Sequence, residues 1–154
     1  MSDALSHYDD AGDARMVDVS AKPATVRSAR AHAFVRMSAE VIEQLGRNPK
    51  GNPLEVARIA GIMAAKRTAE LIPMCHPLPL SFADIDVQVE AEGVRITATA
   101  STAAQTGVEM EAMTAVTVAA LTVYDMTKAL DKRIAIQDVY LLEKTGGKSG
   151  GWKR

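Results

Sequence analysis

The segment 109–130 constrains the fold more than any other part of this chain. Apolar residues surround it almost completely at helical spacing, which is typical of a helix buried between layers or between subunits. At 100° per residue, five side chains lie within about 80° of one another on one face of that helix: Glu111, Thr114, Val118, Leu121 and Asp125. The sequence therefore predicts a long buried helix with two carboxylates on one side.

A carboxylate on an apolar helix needs a partner, because removing the charge from water costs several kcal/mol without compensation. Lys128 follows Asp125 by three residues, a spacing that lets the two side chains meet on the helix surface. Two interpretations stay open from spacing alone. The pair is either part of a functional site or a solvated ion pair on the last turn, where a lysine also complements the helix dipole.

Glu111 and Asp125 are fourteen residues apart, which places them roughly 21 Å apart along a helix axis. One small substrate cannot contact both carboxylates in a single chain. If both belong to one site, the Glu111 end of one helix must lie near the Asp125 end of another. We therefore hypothesise a site composed of two subunits.

The rest of the pattern alternates short strands and helices. In chain order it predicts strands at 15–20 and 25–37, helices at 39–45 and 54–71, a hairpin of 82–90 with 94–100, and a strand at 134–142. Ser38 is the expected N-cap of the first helix, and Gly46 its left-handed C-terminal residue. The hairpin has one apolar and one polar face, so we predict an α+β fold, an antiparallel sheet with helices packed on one face.

The 154 residues show no internal repeat and no change of composition, so we predict a single domain at 15–143. Residues 1–14 are expected to form a flexible arm, and 144–154 a flexible glycine-rich tail that contributes to the site. The N-terminus has no secretory pattern, and the longest uncharged apolar-rich run, 112–124, is too short to span a bilayer. A single cysteine, Cys75, excludes an intramolecular disulfide and fits a reducing compartment, so we expect a cytoplasmic protein without a membrane segment.

The formal net charge of −1 and an aromatic content of 4% argue against a nucleic-acid partner. An anionic ligand must instead meet a local cluster of cations. Candidates lie in loops and at helix ends: Lys50, Lys66, Arg67, Lys128, Lys132 and Arg133, with Lys144 and Lys148 beside the tail glycines. Converged, they suit a triphosphate, whereas dispersed they are ordinary solvated surface.

Two short motifs, the loop at 73–77 and the run at 146–149, do not define a site by themselves. The loop at 73–77 presents the Cys75 thiol and the His76 imidazole between prolines, and it is either a ligand-holding loop or a rigid turn with a buried small thiol. No second cysteine exists to complete a zinc site. The run GGKS at 146–149 is not a phosphate loop, because position 142 is leucine where that motif needs glycine.

Several motifs together resemble one known family. They are MVDVS at 16–20, AAKRT at 64–68, MCHPL at 74–78, GVEMEA at 107–112, YDMTKA at 124–129 and KTGGKSG at 144–150. Each motif alone is weak, but in this order they resemble the cyclic pyranopterin monophosphate synthase family of molybdenum cofactor biosynthesis, over nearly the whole chain.

The resemblance implies a lyase that rearranges 3′,8-cyclo-7,8-dihydroguanosine 5′-triphosphate to cyclic pyranopterin monophosphate and releases pyrophosphate. It also implies a ferredoxin-like fold and a homohexamer, a trimer of dimers with sites shared between subunits. No cofactor is required, although magnesium is a possible companion of the pyrophosphate.

The family's functional residues fall on named positions of this chain. The resemblance implies that Asp125 and Lys128 are catalytic, with the loop lysine at Lys50. Substrate-binding positions fall on Met74, Cys75, His76, Met110, Glu111, Lys66 and Lys144. Asn52 stands where the family often has aspartate, which changes only the local charge.

Positioned Asp, Lys and His groups can perform the several proton transfers of such a rearrangement, and cations can stabilise departing pyrophosphate. Two other classes of protein stay open. One is a non-catalytic nucleotide-binding module of the same fold, because such folds host many functions. The other is an oligomerisation domain whose apolar helix serves packing alone.

Overall fold

The computed structural model describes residues 6–154, so the first five residues of the predicted arm lie outside the described residues. Residues 8–14 form a short turn, in which Tyr8 pairs with Ala14 and the Asp9 carboxylate accepts from the amides of Ala11 and Asp13 at 3.0 and 2.9 Å. The division into arm, domain and tail stays a prediction.

One antiparallel sheet and one layer of helices form the fold. The elements are β1 (Thr25–Arg36), α1 (Ala39–Gln44), α2 (Pro53–Lys66), α3 (Thr68–Leu71), β2 (Leu80–Glu90), β3 (Gly93–Ala104), α4 (Glu109–Thr127), β4 (Ala135–Thr145) and β5 (Trp152–Lys153). The strand order is β2-β3-β1-β4-β5, with antiparallel pairing throughout. This order, with the β-α-β-β-α-β succession along the chain, confirms the predicted ferredoxin-like α+β fold.

Alanines dominate the contact between α4 and the sheet. Ala31 and Ala33 of β1 and Ala112 and Ala119 of α4 are fully buried in one hydrophobic cluster. Small side chains let a helix lie close to a sheet, so this core has little room for repacking. Helix α2 packs against both α4 and β2. A Cβ built on its Gly61 would lie only 3.0 Å from the carbonyl oxygen of Ala115 in α4.

Two predicted elements need correction. Residues 15–20 are not a strand, because no strand among residues 6–154 pairs with them, and Val17 and Val19 line a cleft instead. The predicted helix 54–71 is interrupted at Arg67, where the Thr68 hydroxyl donates to the carbonyls of Ala64 and Ala65.

The ends of the other elements shift as well. Ser38 caps α1 as predicted, but the chain continues into a 3₁₀ turn, Leu45–Arg47, and Gly46 is not left-handed. Helix α4 ends at Thr127 instead of residue 130. Strand β5 was not predicted, since two residues carry no readable pattern. Within residues 6–154, each helix is too short or too polar to span a lipid bilayer.

Gly93 begins β3 at φ +155°, and a Cβ there would lie 2.1 Å from the Val35 carbonyl oxygen. We expect Gly93→Ala to lower the free energy of unfolding by about 2 to 4 kcal/mol, because backbone must shift to admit the methyl group. Urea unfolding measures this loss. Gly12→Ala is the matched control, since Gly12 also has a positive φ (+86°) but open space around it. Equal losses in the two variants would contradict the steric argument.

Candidate active site

A cleft of about 710 Å³ lies where the first turn of α4, the 73–77 loop and the segment 17–22 meet. Five of the predicted substrate-binding residues line it: Met74, Cys75, His76, Met110 and Glu111. They come from two segments more than thirty residues apart in sequence, so the fold itself creates this grouping. We call this space the first cleft.

His76 connects two of the segments that line the first cleft. Its Nε2 lies 2.8 Å from the carbonyl oxygen of Val17, and a carbonyl can only accept, so this nitrogen carries a proton. The contact ties the 73–77 loop to the segment 17–22, in which Val17 and Val19 line the cleft. In the neutral imidazole the lone pair then resides on Nδ1, which makes that nitrogen the acceptor available to a ligand or a proton.

Glu111 is the buried acid of the first cleft, with an exposed fraction of only 3%. Burial raises its pKa to about 7, and the nearby charge of Glu109 acts in the same direction, whereas the backbone N–H of Glu111 lowers it. Burial also raises the pKa of the Cys75 thiol, to which the charge of Glu111 adds. A carboxyl that titrates near neutrality can both donate and accept a proton at physiological pH.

The raised pKa of Glu111 predicts a pH-dependent stability. Between pH 4.5 and about 7 the folded protein keeps a proton that the unfolded chain loses, so the free energy of unfolding should fall by about 3 kcal/mol as the pH rises. Glu111→Gln removes the titrating group and should abolish this decline. Thermal unfolding across the range, with the exposed Glu92→Gln as control, measures the difference. Parallel curves for Glu111→Gln and wild type would contradict the assignment.

A second cleft of about 910 Å³ adjoins the first, and the two share Lys22, Thr106, Gly107 and Glu109. Four cationic side chains line it: Lys22, Arg27, Lys144 and Lys148. Such a concentration of positive charge in one cavity favours a polyanionic ligand. We call this space the cation cleft.

Hydrogen bonds and a close backbone approach shape the cation cleft. The Arg27 guanidinium donates to the carbonyls of Ala104 and Gln105 at 3.1 and 3.2 Å, which holds it at the end of β3. A Cβ on Gly147 would lie 2.3 Å from Arg27 Nη1, and φ at Gly147 is +78°. Glycine therefore lets the tail lie directly against Arg27.

A third group of predicted residues lies at the other end of α4. Lys128 Nζ donates to Asp125 Oδ1 at 2.6 Å, which confirms the predicted contact. The hydrogen bond and charge of Lys128 lower the pKa of Asp125, to which the charge of Lys50 adds, and the same contact raises the pKa of Lys128. Both side chains are exposed in the single chain. Their catalytic role stays a prediction.

Lys50 is held near this pair by its loop. Asn48 donates from Nδ2 to the Met126 carbonyl at 2.6 Å and accepts the Lys50 amide at 2.9 Å, so the loop is fastened to the end of α4. Asn52 begins α2 by accepting from the amides of Leu54 and Glu55. An asparagine therefore performs the N-cap role here without adding a negative charge beside Lys50.

The structure thus brings the predicted residues together in two groups and not in one. Lys50, Asp125 and Lys128 lie at the C-terminal end of α4, while the residues of the two clefts lie at its N-terminal end. Lys66 is exposed in the last turn of α2 and is absent from the described lining of both clefts. The predicted helix geometry, with roughly 21 Å between Glu111 and Asp125, is retained.

Three charged residues that line the described clefts were not candidates from the sequence: Lys22, Arg27 and Glu109. Arg27 stands near the start of β1 on the same face as the buried Ala29 and Ala31, so a charge on an otherwise apolar face was the signal available in the sequence. Glu109 is a first-turn acid of a helix, which dipole arguments explain without a ligand. The sequence pattern does not show that Gly146 and Gly147 have positive φ values, and this backbone conformation brings the tail next to Arg27.

Together these features define an α+β protein of the ferredoxin-like class whose buried helix has polar functional groups at both ends. The chain belongs to the MoaC family, whose model matches residues 16–147. It is 58% identical to a cyclic pyranopterin monophosphate synthase of Streptomyces avermitilis, over 99% of this chain and 91% of the relative. It is 54% identical to the protein of that name from Thermomicrobium roseum, over 97% and 93%, and 56% identical to that from Corynebacterium efficiens, over 96% and 97%. The predicted family is confirmed.

Proposed function

We propose that this chain is a lyase that converts 3′,8-cyclo-7,8-dihydroguanosine 5′-triphosphate to cyclic pyranopterin monophosphate, with release of pyrophosphate, in molybdenum cofactor biosynthesis. The name shared by the relatives supports this proposal. The observation that carries it is the pair of adjoining clefts, one with a proton-exchanging carboxyl and one lined by four cations.

The two clefts suit the two parts of such a substrate. The first cleft offers sulfur, aliphatic and imidazole surface from Met74 to His76, together with the buried Glu111 carboxyl, to a heterocyclic ring. The cation cleft offers Lys22, Arg27, Lys144 and Lys148 to the triphosphate, with Ser149 as a further polar contact. Cations along the triphosphate stabilise the charge that develops on departing pyrophosphate.

The ring rearrangement requires proton transfers at several atoms, and Asp125 and Lys128 are the proposed acid–base pair. Their hydrogen bond keeps Asp125 ionised and Lys128 protonated, which defines a base and an acid side by side. Lys50 lies close enough for its charge to act on Asp125, so it is the proposed second acid or phosphate contact. Lys66, which is exposed in the last turn of α2, is retained as a proposed anion contact.

We further propose a homohexamer, a trimer of dimers, in which the Asp125 end of one subunit completes the clefts of another. Only a site shared between two subunits brings the Asp125 group together with the residues of the two clefts. Large apolar side chains on the outer surface of α2 and α4 support an intersubunit contact, since Ile59, Met63 and Leu121 are 53%, 47% and 55% exposed in the single chain. The proposed compartment is the cytoplasm, where the single Cys75 stays reduced.

No resident cofactor is part of the proposal. Within residues 6–154, histidine, cysteine, aspartate and glutamate side chains form no group of three placed to hold a metal ion. Magnesium binds through one or two carboxylates plus substrate phosphates, and Glu109 is the single carboxylate among the described residues of the cation cleft. We therefore propose that any magnesium enters and leaves with the phosphates. Turnover in excess chelator tests this point.

One experiment tests the proposed function directly. The purified protein is incubated with the cyclised nucleotide, and the product is identified by mass while pyrophosphate is measured separately. We expect both products in equal amounts. Tight retention of the nucleotide without pyrophosphate release would instead indicate a binding module. Full function of Lys50→Ala and His76→Ala variants would indicate an oligomerisation domain.

A further inference from the structure

Glu109 lies between the first cleft and the cation cleft. It lines both of them, and in the described part of the chain it is the one acidic residue of the cation cleft, against four cations. Its side chain is 31% exposed, so its charge is partly removed from water. The Glu109 carboxylate therefore repels anions in a cavity whose other charged residues attract them.

The Glu109 carboxylate is held by specific contacts. Its Oε1 lies 3.4 Å from Lys144 Nζ, and the same ammonium donates to Ser149 Oγ at 2.9 Å. On its other side the carboxylate folds over Gly107, where a Cβ would lie 1.9 Å from Glu109 Oε2. Gly107 is therefore the residue that admits the carboxylate to this position, and Lys144 is the cation that keeps it there.

We propose that the Glu109 carboxylate competes with phosphate oxygens for Lys144. This competition weakens the binding of pyrophosphate in the cation cleft. This inference rests on the proposed function, because it assigns the cation cleft to the phosphates. The Lys144 ammonium has three N–H donors and already contacts Ser149 and Glu109, so a phosphate oxygen that binds it must share its positive charge with the Glu109 carboxylate. The same carboxylate repels the bound anion, and it has Lys144 to itself again when pyrophosphate leaves.

The consequence concerns product release. Four cations without a counter-charge would retain pyrophosphate after the reaction, and retained product limits turnover. A carboxylate placed among them lowers the affinity for substrate and product alike. Glu109 thus lowers the affinity for pyrophosphate and speeds its release. This effect should be measurable by pyrophosphate binding alone, without turnover of the substrate.

The test is calorimetric titration of the full-length protein with inorganic pyrophosphate. We expect Glu109→Gln to bind pyrophosphate about five- to tenfold more tightly than wild type, because the competing charge is removed while the side-chain shape is kept. Glu109→Asp keeps the charge and should stay close to wild type. Glu92→Gln is the matched control for net charge, since Glu92 pairs with Arg36 at the far end of the sheet.

Tighter binding also separates this role from a structural one, since damage to the cleft weakens affinity. In a Lys144→Ala background the gain from Glu109→Gln should disappear, because nothing remains to compete for. An equal gain in both backgrounds would overturn competition in favour of general repulsion. Unchanged or weaker binding by Glu109→Gln would overturn the proposal outright. If the cyclised nucleotide is not converted by wild type, the proposed function fails independently of these titrations.

Discussion

Asp125→Asn is expected to lower the turnover of the cyclised nucleotide by about 10²- to 10⁴-fold, the usual contribution of a positioned acid or base. The amide keeps the size of the side chain and can still contact Lys128, but it can no longer accept a proton. Lys128→Ala should cause a loss of the same order, because it removes the acid and also the cation that lowers the pKa of Asp125. Rates of pyrophosphate release under saturating substrate measure both effects.

The double variant should be little worse than either single one, since residues that act as a unit do not contribute additively. Asp131→Asn is the matched control. Asp131 also pairs with a neighbouring cation, Arg133 at 3.0 Å, but it lies outside the two clefts. If Asp125→Asn and Lys128→Ala each stay within a few-fold of wild type, the acid–base assignment is wrong.

Mixing two inactive variants is expected to restore activity, and this is the second large effect. His76→Ala damages the first cleft, whereas Asp125→Asn damages the opposite end of α4. If each site takes one group from each of two subunits, a mixed dimer contains one intact site. Random association of equal amounts should then recover about a quarter of the wild-type activity, from a starting point near zero. Co-expression or joint refolding produces the mixture.

The control for this recovery is a mixture of Asp125→Asn with Lys128→Ala. Both substitutions lie in the same half of the site, so every mixed site keeps one damaged half and no activity should return. Recovery in this control, or none in the first mixture, would contradict a site composed of two subunits. Gel filtration of each mixture verifies that the assembly is the same size as wild type.

Regular patterns in the sequence predicted the fold well. Helix α4 and the β2–β3 hairpin follow from uninterrupted periodicity, which depends on local burial alone. Residues 15–20 were mistaken for a strand because Val17 and Val19 alternate with polar residues, and a cleft wall produces the same alternation as a half-buried strand. The break at Arg67 depends on one hydroxyl, Thr68, which periodicity does not register.

The site was only partly accessible from sequence. Asp125 and Lys128 are three residues apart, so helix geometry alone brought them together. The meeting of Glu111 with the 73–77 loop depends on the packing of α4 against the sheet, and it entered through the family resemblance. The cation cleft needs Arg27 and Lys144 on neighbouring strands, with glycines at positive φ beside them. No local pattern encodes that juxtaposition.

The alanine-lined contact with the sheet fixes the rotation of α4 about its own axis, and in the proposed composite site that rotation orients groups that belong to two different sites. Fourteen residues separate Glu111 from Asp125, which leaves them about 40° apart after four nominal turns. Deleting one residue between them would rotate one end by about 100° relative to the other and shorten the helix by about 1.5 Å. A change of the length of α4 would therefore misalign the groups at its two ends, which the proposed composite site needs together. We expect the spacing between these two carboxylates to tolerate no insertion or deletion.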